Sequence, residues 1–375
     1  MSADDGLGPL AARVPEVLRG SAAYHVPQPP NVRAKLDANE LPFAMPLELR
    51  QRLGAALAEV ALERYPDPNA RELRALVASQ LGVGPDQLVF GNGSDESIAM
   101  LVDVFAAPRT AHVHGGGGER PAAILYPTPT FVYYRLAATA RGVEPIEVPL
   151  DARFELDETA IERAIEQHKP SVVFLALPNN PTGTLWRTDF AVELAARHRD
   201  IAIVSDEAYF AYSGRTNLPH LAAHPNLIVM RTLSKVGMAG IRVGFTISSP
   251  AIAQLLEKVR PPYNVSSLDQ RAAVFLLTEA RGWCAARAAE VVAERPKLAA
   301  ALAALPGVTA FVTEANLVLA KFGAGRATKI WQGLADRGLL VRTFDRPGPL
   351  EGCLRITVGT PEENAALIEA LTALC

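Results

Sequence analysis

Thr232-Leu233-Ser234-Lys235, with Gly240-Ile241-Arg242 just behind it, decides how this chain is read. The apolar run Leu227 to Met230 reads as a strand that delivers Arg231 and Thr232 into the stretch, and a second run, Val243 to Ile247, follows it. Gly237 and Gly240 break up the segment between them. A lysine at the mouth of a sheet, beside a hydroxyl and an arginine, has a chemical use. Its amine can form a Schiff base with an aldehyde cofactor while Ser234 and Arg242 hold that cofactor's phosphate. The plain alternative is a lysine on a solvated loop, and a Ser-Lys pair on its own favours that alternative.

Composition narrows the classes. A chain of 375 residues, 49% apolar and 21% charged, is long enough for two domains with real cores. Its formal net charge of −3 gives no basic excess for nucleic acid, and no charge run suggests a membrane surface. The three cysteines, Cys284, Cys353 and Cys375, are odd in number and fit neither zinc spacing nor a C-x-x-C motif. Reduced thiols in the cytoplasm are expected. The acidic start Met1-Ser2-Ala3-Asp4-Asp5 lacks an apolar leader, and no stretch has the length and apolarity of a membrane span.

Residues 1–40 read as an extended, proline-rich arm with a short helix near Ala11–Arg19; Tyr24 lies in it. Helical spacing follows over Leu47–Leu62 and Ala70–Leu81, separated by the rigid turn Arg64-Tyr65-Pro66-Asp67-Pro68. Leu88-Val89-Phe90 predicts a short strand that feeds Gly91-Asn92-Gly93-Ser94-Asp95-Glu96 and then a helix to Phe105. A glycine-rich turn at a helix N-terminus is a ready phosphate cradle, although capping by Ser94 or Asp95 accounts for the same letters. Neither the dinucleotide glycine spacing nor a Walker lysine is present. His112 and His114, beside Gly115–Gly118, have no carboxylate or cysteine next to them to support a metal site.

The strand predicted at Ala122–Tyr126 ends in Pro127-Thr128-Pro129-Thr130-Phe131. Ligands of open α/β sheets bind past the strand C-termini, so the Phe131 ring is placed to stack on a planar cofactor, or equally to fill the core. Val172–Leu177 has the continuous apolarity of a buried parallel strand and runs into Pro178-Asn179-Asn180-Pro181-Thr182-Gly183, a turn that fixes Asn180. Ile201–Val204 leads to Ser205-Asp206-Glu207-Ala208-Tyr209. A carboxylate at the end of a buried strand is costly without a cationic partner. A protonated pyridine nitrogen would be such a partner for Asp206, with Tyr209 and Asn180 donating to a phenolate oxygen on the same ring. A helix cap is the competing account of Asp206.

Asn-Pro-Thr-Gly, Asp-Glu-Ala-Tyr, Thr-Leu-Ser-Lys and Gly-Ile-Arg-Val-Gly-Phe stand here in the order found in fold type I pyridoxal-phosphate aminotransferases, and the resemblance covers nearly the whole chain. Asp37-Ala38-Asn39-Glu40, Arg64-Tyr65-Pro66-Asp67, Gly93-Ser94-Asp95-Glu96, Thr128-Pro129-Thr130-Phe131 and Leu354-Arg355-Ile356-Thr357-Val358-Gly359 resemble the histidinol-phosphate aminotransferase family within them, and Ala315-Asn316 and Leu340-Val341-Arg342 fit as well.

The resemblance implies an α/β fold. A large domain (41–260) with a mostly parallel seven-stranded sheet between helices is joined by a smaller α/β domain (261–375), with the arm (1–40) attached to the latter. It also implies pyridoxal 5′-phosphate as cofactor, a homodimer, and a ping-pong exchange between histidinol phosphate and 2-oxoglutarate. Lys235 would carry the internal aldimine and shuttle the proton. Asp206 would pair with the pyridine nitrogen, Asn180 and Tyr209 would bond the ring oxygen, and Phe131 would stack on the ring. Ser94, Asp95, Ser234 and Arg242 would take the phosphate, with Tyr65 reaching across to the neighbouring subunit's cofactor. Arg355 would bind the substrate acid group, assisted by Arg342, Asn180, Asn39 and Tyr24.

Arg242 follows Lys235 by 7 residues, one fewer than in many members of that family, so a tighter turn through Gly237 and Gly240 is needed. Three readings compete with the leading one. Two keep the cofactor: an aromatic amino-acid aminotransferase and a threonine-phosphate decarboxylase. The third is a non-enzymatic binding module on this scaffold, against which stand the intact lysine and aspartate. In the second half, Ala251–Arg260, Leu268–Leu302, Thr328–Arg337 and Pro361–Leu374 read as helical, and Val308–Val312, Leu317–Phe322 and Leu354–Val358 as strands.

Overall fold

The computed structural model describes residues 7–14, 19, 31–106 and 122–375. Among the described residues the strands form two sheets. The larger has seven: β2 (Leu88–Asn92), β3 (Ala123–Thr128), β4 (Glu144–Pro149), β5 (Val172–Ala176), β6 (Ala202–Asp206), β7 (Leu227–Thr232) and β8 (Val243–Ile247), in the order β2-β8-β7-β6-β5-β3-β4. All are parallel except β8, which runs antiparallel to both its neighbours.

The apolar runs are continuous because both faces of this sheet are covered. Ile124, Val172, Phe174, Val204 and Met230 pack under the helices Gly93–Phe105, Tyr133–Thr139 and Pro250–Val259. Their sequence neighbours Leu125, Val173, Leu175, Ile203 and Val229 face the other way, against Arg71–Leu81, Glu158–His168, Asp189–Arg197 and Ser267–Leu277. This period-two division makes any one-residue slip of register costly.

The smaller sheet has the order β1-β11-β12-β10-β9, with β1 (Ala34–Leu36), β9 (Thr309–Ala310), β10 (Leu317–Lys321), β11 (Leu339–Thr343) and β12 (Cys353–Thr357). The N-terminal β1 pairs in parallel with β11, Lys35 opposite Leu340. Helices Arg281–Ala303, Arg326–Ala335 and Pro361–Leu374 cover it, the last opened by a capping box between Thr360 and Glu363. Tyr209 and Tyr212, from the loop and short helix after β6, are buried in this second core.

Three local expectations change. The helical pattern over Leu268–Leu302 is two helices, Ser267–Leu277 and Arg281–Ala303. At the break the Thr278 hydroxyl donates back to the Val274 carbonyl at 2.8 Å, and Ala280 is buried. Of Val308–Val312 only Thr309–Ala310 pairs as an edge strand, leaving Val312 exposed. Where a helix is expected near Ala11–Arg19, Gly8–Arg13 form a 3-10 turn, Arg19 is helical, and residues 15–18 lie outside the described residues. Tyr24, His112 and His114 lie outside the described residues.

Candidate active site

The parallel strands β3, β5, β6 and β7 release Phe131, Asn180, Asp206 and Lys235 at one edge of the sheet, the carboxyl ends where crevices form in open α/β folds. Asp206 is the last residue of β6 and 5% exposed. Its Oδ2 accepts from the Tyr134 hydroxyl at 2.5 Å and its Oδ1 from the Ala208 backbone N–H at 3.1 Å. Burial pushes its pKa up to about 6. Lys235 Nζ donates to the Ala38 carbonyl at 3.2 Å and sits 5.9 Å from the centre of the Tyr209 ring. Burial, then the positive charge of Arg355, brings its pKa down to about 8.

Beside Lys235 the short route to Arg242 closes. The turn passes through Gly237 at φ 115° and a 3-10 turn over Ala239–Ile241, and Arg242 itself takes φ 49°. The compressed geometry brings Arg242 Nη1 to Ser234 Oγ at 3.2 Å and Nη2 to Asp95 Oδ2 at 2.8 Å. Thr232 Oγ1 accepts from the Ser234 N–H at 3.1 Å and fixes the hydroxyl between them. The helix Gly93–Phe105 begins here, its N-terminal dipole facing the arginine. It can come so close because Gly93 and Gly244 lack side chains. A Cβ on Gly93 would stand 2.6 Å from Arg242 Nη2, and one on Gly244 2.5 Å from Ser94 N.

On the opposite wall Arg355, in β12, donates to Asn180 Oδ1 at 2.6 Å and to the Asp37 carbonyl. Arg342 lies directly across from it on β11, on the same face of the smaller sheet. Asn39, buried at φ 54°, donates through Nδ2 to the Tyr209 hydroxyl at 2.8 Å. It is held by the Thr357 hydroxyl through its own N–H and by Asn316 through its carbonyl. The segment 37–39 thus touches Lys235, Tyr209 and Arg355 at once.

Contacts join Asn39, Asn180, Tyr209, Lys235 and Arg355 in one group and Asp95, Ser234 and Arg242 in another beside Ser94, while Arg342 lies across from Arg355 and Phe131 reaches Asp206 through Tyr134. Phe131 meets Tyr134 edge-on, ring centres 5.8 Å apart. Tyr65 is not among them. It is 81% exposed and stacked on Tyr263 at 4.6 Å, away from this chain's own lysine. Sequence reading passed over Tyr134 and quoted Thr232 and Thr357 only as letters of their motifs, with no role. The only signal for Tyr134 was its place in an aromatic cluster three residues after Phe131. Also unforeseen is the buried pair behind Asp206, where Arg231 Nη2 meets Glu207 Oε2 at 2.9 Å and the guanidinium lies over the Phe210 ring.

The sequence profile described as aminotransferase class I and II matches residues 33–371. The chain belongs to the class I and II aminotransferase family. It is 42% identical over 378 residues to the histidinol-phosphate aminotransferase of Paracidovorax citrulli, covering 98% of this chain and 99% of that one. It is 40% identical to that of Methylibium petroleiphilum, covering 100% and 98%. Among solved structures, the histidinol-phosphate aminotransferase from Sinorhizobium meliloti in complex with pyridoxal-5′-phosphate superposes with a TM-score of 0.78 at 25% identity, covering 92% of this chain and 91% of that one. An L-threonine-O-3-phosphate decarboxylase from Porphyromonas gingivalis shares the fold, with a TM-score of 0.74 at 21% identity over 90% of this chain and 98% of that one.

Aminotransferases of this family are pyridoxal-phosphate enzymes, and the cleft fits that cofactor. The buried Asp206 carboxylate accepts from the neutral Tyr134 hydroxyl and the Ala208 N–H, and a cationic ring nitrogen would suit it as a charged partner. The bare Gly93 lets the Arg242 guanidinium stand against the N-terminus of the helix Gly93–Phe105, and a guanidinium beside a helix N-terminus suits a phosphate. No helix among the described residues is long and apolar enough to cross a membrane.

Proposed function

We propose that this chain transfers the amino group of histidinol phosphate to 2-oxoglutarate, giving imidazole acetol phosphate and glutamate. The observation that carries the reading is Arg355, whose charge reaches Lys235, with Arg342 directly opposite it on β11. Two guanidinium groups on one face of a strand pair together attract an anion. The planar guanidinium fork suits a carboxylate and a phosphate equally, so one pocket serves both substrates in turn. The near-full-length likeness to relatives named for this activity supports the same substrate.

Pyridoxal 5′-phosphate, when bound, supplies the aldehyde that takes up amines and the ring that accepts electrons. The work of the protein then divides among its own residues. Asp206 would keep the proton on the ring nitrogen, and Tyr209 and Asn180 would hold the ring oxygen. Phe131 would stack on the ring. Ser94, Asp95, Ser234 and Arg242 would bind the phosphate. Lys235 Nζ, its pKa lowered to about 8, is available as the neutral amine that takes the proton from the substrate α-carbon and returns it. Asn39 and Tyr24 join Asn180, Arg342 and Arg355 in binding substrate.

The exposed Tyr65 is the contribution we assign to a partner subunit's cofactor phosphate in a cytoplasmic homodimer. The chain is taken as an arm (1–40), a large domain (41–260) and a small domain with its linking helix (261–375). The test is a substrate panel. Purified protein with the cofactor should form glutamate from histidinol phosphate and 2-oxoglutarate much faster than from phenylalanine, and should not decarboxylate threonine phosphate. Lys235→Ala should be inert. Faster turnover of phenylalanine than of histidinol phosphate would refute the assignment.

A further inference from the structure

Tyr134 is a fully buried phenol whose hydroxyl ends on the charged group of the site. It projects from the helix Tyr133–Thr139 on the face that packs against the sheet. Its ring is stacked on Phe174 with centroids 4.7 Å apart, meets Phe131 edge-on, and leans on Tyr126 at 5.8 Å. Three aromatic neighbours leave the ring no freedom, so packing rather than solvent sets where the hydroxyl points. It points at Asp206 Oδ2, 2.5 Å away, while the Ala208 N–H takes Oδ1. Each carboxylate oxygen therefore has one fixed donor.

We propose that Tyr134 is a positioning residue, which anchors the Asp206 carboxylate and keeps its negative charge available to the cofactor's ring nitrogen. The inference rests on the reading of Asp206 as that nitrogen's partner. Burial keeps the Tyr134 phenol far above its usual pKa, so it remains a donor throughout the working range. The groups that face Asp206 otherwise work against its ionisation. Burial costs most, Glu207 beside it and Asp95 from the helix Gly93–Phe105 both add negative potential, and the nearby Tyr209 phenol is itself kept neutral by burial. The Tyr134 hydroxyl and the Ala208 N–H are what oppose them.

The test titrates pyridoxal 5′-phosphate into the cofactor-stripped full chain and reads its absorbance, comparing wild type, Tyr134→Phe, Asp206→Asn and the double variant. Phenylalanine keeps the ring packing and removes only the donor. Losing a hydrogen bond to a charged group, Tyr134→Phe should weaken binding by about tenfold or more near pH 6.5. The deficit should shrink at about pH 9, where Asp206 is ionised without help. In the Asp206→Asn background the same change should add nothing. Loss of affinity that is equal at both pH values, or equal in both backgrounds, would show that Tyr134 only packs, and unchanged affinity or failure to fold in both backgrounds would overturn the proposal equally. If Asp206→Asn itself binds as wild type does, the reading of Asp206 falls first.

Discussion

Asp206 ends β6 and Lys235 follows β7, its parallel neighbour, and burial drives both toward the neutral form: the carboxyl up to about 6, the amine down to about 8. A carboxyl with a raised folded pKa stabilises the fold less and less as pH climbs from about 4 through 6. An amine with a lowered folded pKa costs stability below about 8, and the cost fades as pH climbs toward about 10.5. Near neutrality the cofactor-free protein bears both costs. Asp206→Asn and Lys235→Met should each raise its unfolding free energy near pH 7 by about 1–3 kcal/mol while abolishing activity. The advantage should vanish below about pH 4 for the first and above about pH 10.5 for the second. Thermal unfolding of stripped protein across pH checks this.

Arg355 is locked by Asn180 and by the Asp37 carbonyl, with Arg342 opposite. Arg355→Lys keeps the charge and loses the fork. KM for glutamate and for histidinol phosphate should rise together, by roughly 10- to 100-fold, because one pocket serves both. Steady-state measurements on each substrate decide it, and a rise confined to one would mean two pockets.

Gly93 and Gly244 differ in what an added methyl would strike. At Gly93 it meets the tip of the Arg242 side chain, and at Gly244 the backbone of Gly93 and Ser94. Gly93→Ala should lower cofactor affinity by about tenfold or more, with the positive φ adding about 1 kcal/mol of instability. Gly244→Ala should lose about 1–3 kcal/mol of stability or more, as an overpacked site does. Denaturant unfolding and cofactor titration, run side by side, separate the two.

Arg231 and Glu207 form a buried pair directly behind the site, Glu207 also accepting from the Asn217 N–H at 2.7 Å. Arg231→Met strands the carboxylate and should cost about 3–5 kcal/mol, read as a lower denaturation midpoint.

What the letters reveal and what they conceal follow different physics. The strands Val172–Ala176 and Val243–Ile247 were legible because sheet burial on both faces demands unbroken apolar runs. Lys235, Asp206 and Arg242 were legible because their motifs are short and local. Tyr134 was not, since a phenol aimed at a carboxylate 72 residues away looks in sequence like any core aromatic. The break at Thr278 was hidden too, because a hydroxyl that back-bonds to its own helix leaves the apolar period intact.

Asn39 is fastened by Thr357, 318 residues further on. A ribosome-borne chain therefore carries a lysine and an aspartate long before it has a pocket to put them in. The vitamin-derived ligand should find its full grip only after β12 has emerged, so nascent chains halted ahead of that strand should capture it poorly.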